Sequence, residues 1–91
     1  MTRLEFFFTA NLTDPKCEPR HVATVVLVNG QAWPDYIDAR EIDDPLAYTM
    51  IVNATSLCEA AMVKWGGPSA AADALCRLYA HGNVWARMGE E

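Results

Sequence analysis

Residues 3–12 alternate between apolar and polar. Leu4, Phe6, Phe8, Ala10 and Leu12 share one side, and Arg3, Glu5, Thr9 and Asn11 share the other. A period of two is that of a half-buried strand, which predicts β structure over 3–12. Phe7 breaks the pattern as an aromatic on the polar side, so it is either covered by a neighbouring strand or loop, or exposed as a contact residue. Residues 13–19 hold Asp14-Pro15 and Glu18-Pro19, a loop signature. Arg20 to Val28 contains an unbroken β-branched run and predicts a central strand covered on each side, or on one side by a partner. Asn29-Gly30 is the preferred two-residue hairpin turn, because both positions tolerate positive φ. The returning strand, 31–37, contains Pro34 and therefore belongs at an edge, with Trp33 half-buried there.

The pattern then changes period. Leu46, Met50, Ala54, Leu57, Cys58, Ala61 and Trp65 recur at helical spacing, between the start signal Asp43-Asp44-Pro45 and the stop signal Gly66-Gly67-Pro68. This predicts one continuous helix over 44–65. A second helix follows over 68–81, with Ala71, Ala72, Leu75, Leu78 and Tyr79 as its stripe. A short strand over 84–88 and an acidic tail close the chain. The order β-β-β-α-α-β implies a single α+β domain over 1–91. Its simplest architecture is a small two-layer sandwich, an antiparallel sheet of three to four strands with two helices on one face. Leu4, Phe6 and Phe8 are expected to meet Leu46, Met50, Leu57 and Trp65.

Composition narrows the function classes. Of the 91 residues, 52% are hydrophobic, enough for a core without metal or disulfide staples. Twelve acids face seven bases, a net charge of −5, which disfavours direct binding to nucleic acid or anionic membrane. Cys17, Cys58 and Cys76 form an odd set, read as reduced thiols. Arg3 and Glu5 interrupt the first apolar run, so no secretory signal is expected, and no window has a membrane span's ~18 apolar residues. The expected location is the cytoplasm.

The same residues offer little that chemistry could use. Gly66-Gly67 lacks the Lys and the spacing of a phosphate loop. Cys17 and His21 lie in a loop with no second ligand pair, and Cys76 and His81 do not converge on a helix. Neither a metal site, a cofactor site nor a catalytic residue is assigned, and the expectation is a protein that is not an enzyme.

The remaining feature is 35–44. Asp35, Asp38, Glu41, Asp43 and Asp44 are interleaved with Tyr36, Ile37, Arg40 and Ile42. One reading is a solvated connection whose last acids cap the helix. The other is a partner-binding edge of Asp35, Tyr36, Asp38, Glu41, Asp43 and Asp44, with acids steering association and Tyr36 or an Ile anchoring it. In size, acidity and α+β order without catalytic motif, the whole chain resembles small inhibitors encoded by phages and mobile elements, of the anti-CRISPR type. The resemblance implies a host cell cytoplasm and a protein partner with a basic surface, such as a CRISPR-Cas surveillance complex. In it, acidic side chains would occupy places meant for phosphates. The alternative is a homodimeric structural or regulatory module, joined through Phe7, Val22, Val26 and Val28 or an unpaired sheet edge.

Overall fold

Asn29 and Gly30 both take positive φ, 43° and 85°, and close the hairpin their sequence predicts. This is seen in a computed structural model that describes residues 1–80 and 82–89. The hairpin joins β2 (Arg20–Val28) to β3 (Gln31–Ile37). β1 (Thr2–Phe8) pairs antiparallel with β2 on one side and with β4 (Val84–Met88) on the other. The result is a four-stranded antiparallel sheet in the order β3-β2-β1-β4. Pro34 lies on the outermost strand, where a missing N–H costs no ladder bond.

β1 ends earlier than its alternation predicts. The Asn11 side chain accepts from the Thr13 N–H at 3.1 Å, and that local turn competes with extended backbone. Thr9 is held beyond the strand end instead, donating its N–H to the Asn83 carbonyl while Asn83 Nδ2 donates to the Thr9 carbonyl.

Three helices cover the sheet: α1 (Pro45–Val52), α2 (Ala54–Trp65) and α3 (Pro68–Leu78). The stretch read as one helix is thus divided at Asn53, and its halves meet at a bend of 71°. The local cause is composition. Thr49, Ile51, Val52, Asn53 and Thr55 are β-branched or cap-forming, the weakest run of helix formers in the stretch. Asn53 Nδ2 also donates to the Thr49 carbonyl at 2.7 Å, ending α1 from the side. Gly66, left-handed at φ 81°, ends α2, and Pro68 begins α3 at a position that needs no N–H.

The core lies between these helices and one face of the sheet. Leu4, Phe6, Phe8, Val25 and Leu27 pack against Ile51, Ala54, Cys58, Ala61, Met62, Ala72 and Leu75. Each large side chain so buried contributes about 1.5–3 kcal/mol of transfer free energy. The small residues Ala54, Cys58, Ala61, Ala71 and Ala72 are buried on α2 and α3, where they let helices approach closely. The bend redirects the expected stripe: Leu46 is 83% exposed and Trp65 is 37% exposed, while Ile51 takes the central place. Met50 and Leu57 are partly buried at the margin of the core. His81, Glu90 and Glu91 lie outside the described residues, and with them the Cys76–His81 spacing and the acidic tail.

Two bulges break the ladder. Between Phe6 and Phe7 the register with β2 skips one residue, so consecutive Val22 and Ala23 are both fully buried. Val22 is therefore a core residue and not the outward contact that the dimer reading assigned. Between Thr24 and Val25 the register with β3 skips Asp35, leaving Trp33, Asp35 and Tyr36 on the side away from the helices.

Candidate functional site

The acidic stretch divides into residues used inside the fold and residues turned outward. Asp35 is ion-paired with Arg3, across the intervening strand β2. Asp38 is a hub: Arg40 donates from Nε at 2.9 Å and from its backbone N–H at 3.1 Å, Arg20 from a guanidinium nitrogen at 3.4 Å, and the Tyr36 hydroxyl at 3.3 Å. The Arg40 side-chain hydrogen bond is the main reason the Asp38 carboxyl titrates far below the usual carboxylate range, and Asp38 in turn raises Arg40. Asp44 is the N-cap of α1, accepting from the N–H groups of Leu46 at 2.9 Å and Ala47 at 3.4 Å. Ile42 is buried in the core and fixes the connection from below. Glu41 and Asp43 are exposed, and among the described residues no cation lies within ion-pair distance of either. Glu41 is also held at φ 67°, an unfavourable conformation for a side chain with a Cβ.

The opposite face of the sheet holds a feature that spans all four strands. Trp85 of β4 stacks on Phe7 of β1, with ring centroids 4.5 Å apart and planes 13° from parallel. Phe7 meets His21 of β2 at 5.3 Å, and His21 stacks on Tyr36 of β3 at 5.1 Å and 20°. The Arg87 guanidinium lies 4.7 Å from the Phe7 centroid, and Arg87 also donates to Glu5 at 2.9 Å. Thr24 is buried beside this row, with its hydroxyl 2.7 Å from His21 Nε2. Of the two readings of Phe7, cover by neighbouring strands describes its immediate contacts. The row as a whole was invisible in sequence, because it depends on strand order and on the bulge that brings Phe7 opposite His21.

On the helical side, a shallow groove of about 550 Å³ runs over the bend, lined by Leu46, Met50, Asn53 and Leu57. A smaller one between α2 and α3 is bordered by Trp65, Leu78 and Tyr79.

The thiols and imidazole are placed for structure. Cys58 is fully buried, and burial pushes its thiol up to about 12, so it is not a nucleophile at neutral pH. Burial also raises the Cys76 thiol. The three cysteines are free, and among the described residues no group of three or more His, Cys, Asp or Glu is arranged to hold a metal ion. No single described helix is long and apolar enough to cross a membrane. Against this geometry, no protein-family model, no curated protein and no solved structure matches the chain.

Proposed function

We propose that this protein is a non-catalytic binding module that occupies a basic surface on a nucleic-acid-handling protein complex and thereby inhibits it. One observation carries the reading. All five arginines, Arg3, Arg20, Arg40, Arg77 and Arg87, are held by carboxylates of the same chain. The guanidinium groups are thus engaged internally, and of the lysines and arginines only Lys16 and Lys64 remain outside these pairs. The chain's excess of −5 is what it offers a partner. Glu41 and Asp43 are the parts of the acidic stretch available for that role. Tyr36 and Ile37 precede them in the chain at the end of β3, are 43% and 36% exposed, and can supply apolar anchoring. A CRISPR-Cas surveillance complex is one partner of the required kind.

The test is capture from host lysate on immobilised protein, with elution by a soluble polyanion such as heparin. Wild type is expected to retain basic, nucleic-acid-binding proteins that heparin displaces. The double charge reversal Glu41→Lys, Asp43→Lys is expected to lose them chiefly through slower association, with its melting temperature unchanged. Capture that ignores both heparin and charge reversal overturns the reading. Asp35 and Asp38 are unsuitable for this test, since reversing either would leave arginines unpaired within the fold.

A further inference from the structure

We propose that the helix-free face of the sheet is a homodimer interface, on which a second copy of this chain packs sheet against sheet. The proposal does not rest on the partner-binding reading above.

The face is electroneutral in an otherwise acidic chain. Its charged residues, Arg3 with Asp35 and Arg87 with Glu5, neutralise one another in place. A strongly basic partner finds no surplus carboxylate here. A second copy finds no surplus of its own sign, although each chain carries −5 overall. Between these pairs lie the aromatic row, half-buried Val26 and Val28, and Trp33, which is 50% exposed.

The orientation of the rings selects a protein over a nucleic acid. Rings that stack on cross-strand neighbours at 4.5 and 5.1 Å, near the spacing of the strands themselves, stand upright on the sheet. The faces turned toward each other within the row are occupied, the outer faces of Trp85 and Tyr36 look sideways over the sheet edges, and the ring edges point outward. Single-stranded nucleic acids need ring faces on which bases can stack. Upright edges with grooves between them suit side chains interdigitating from an opposing sheet, about 10 Å away.

Geometry also favours the face over the edges. On one edge, Pro34 and the bulge at Asp35 interrupt the β3 backbone. On the other, the Ala86 N–H is already donated to the Tyr79 carbonyl at 2.9 Å. Four strands of five to nine residues give a face of about 400 Å² in projection. Side-chain relief enlarges the accessible area, so two such faces approach the roughly 1,200 Å² at which stable interfaces begin. The expected association is therefore reversible rather than obligate.

Sedimentation velocity on the purified chain, from sub-micromolar to high-micromolar concentration, is expected to show a monomer–dimer equilibrium. Trp33→Glu and Val26→Lys should each raise its dissociation constant roughly tenfold or more, with circular dichroism unchanged. A variant Trp65→Phe supplies an arm that does not depend on those substitutions folding. Its remaining indoles, Trp33 and Trp85, both lie on the proposed interface and should become less accessible to acrylamide as concentration rises. A monomer at every concentration, a dimer untouched by folded Trp33→Glu and Val26→Lys, or acrylamide quenching that stays constant while mass doubles would each overturn the proposal.

Discussion

Asp38 and Cys58 show how a single side chain can be committed to the fold by its surroundings. The Arg40 hydrogen bond holds the folded Asp38 carboxyl below its unfolded value. Its contribution is therefore complete above the unfolded pKa of about 4 and is lost as pH falls through the lower, folded value. Asp38→Asn should melt lower than wild type at neutral pH and show a shallower loss of stability in acid, measured by melting temperature from pH 7 to 2. Cys58 behaves as a small hydrophobe. A disulfide reagent added to native protein should leave it unmodified and reach it only after denaturation. Cys58→Ser, which buries a hydroxyl among apolar neighbours, should cost about 1–3 kcal/mol in denaturant unfolding.

Among the elements, the strands were the most legible. Their boundaries over 20–28, 31–37 and 84–88 are those the pattern predicts, because alternation and Asn-Gly are local signals. The helical half was legible as helix but not as two segments. Ala47, Ile51, Ala54, Cys58 and Ala61 keep helical spacing straight through Asn53, so periodicity passes over the bend. Only the weak helix formers around Asn53 hinted at it. The resulting shift of the buried face separates two substitutions that a straight helix would treat alike. Ile51→Ala should cost about 2–5 kcal/mol, whereas Leu46→Ala should stay within about 0.5 kcal/mol, both read from chemical denaturation. In the acidic stretch, the cap role of Asp44 was readable from Asp-Pro. The capture of Asp35 was not, because Arg3 arrives from a strand far away in sequence. Arg20 reaches Asp38 in the same way, so that of the arginines around Asp38 only Arg40 is a local neighbour.

At the scale of the molecule, the surplus negative charge and the aromatic row lie on different surfaces, since the charges on the aromatic face neutralise one another in pairs. A fluorescent single-stranded oligonucleotide should show no anisotropy change with the protein at physiological salt, since the chain is acidic and the stacked ring faces are already occupied. The three cysteines are free and the apolar cluster is continuous, so no disulfide contributes to holding this fold. Chelator and reductant together should leave the melting temperature unchanged, and a fall under EDTA would contradict this. The aromatic row was beyond sequence reading for the same reason as the arginine pairs. Trp85 and Phe7 are neighbours only because β4 returns to β1, and no local pattern records that return.

That return has a consequence for how the chain reaches its native state. The β1–β4 ladder joins residues 4–8 to residues 84–88, so pairing must close a loop that contains every other element of the fold. During synthesis β1 can pair early with β2, but its other edge must wait for the last strand to emerge. Phe7 waits with it, without the indole that stacks on it. Closing so long a loop slows folding relative to helical proteins of this size. The nascent protein is thus most prone to misassociation just before residues 84–88 arrive. The Gly89 N–H donates to the Arg3 carbonyl at 2.9 Å, so a short linker can join the chain beyond β4 to the start of β1. Opening the joined chain between β3 and α1 should place β4 directly before β1 while the β1–β2 and β2–β3 hairpins stay local. The permuted chain would then form this ladder as a local contact and refold faster in stopped-flow measurements.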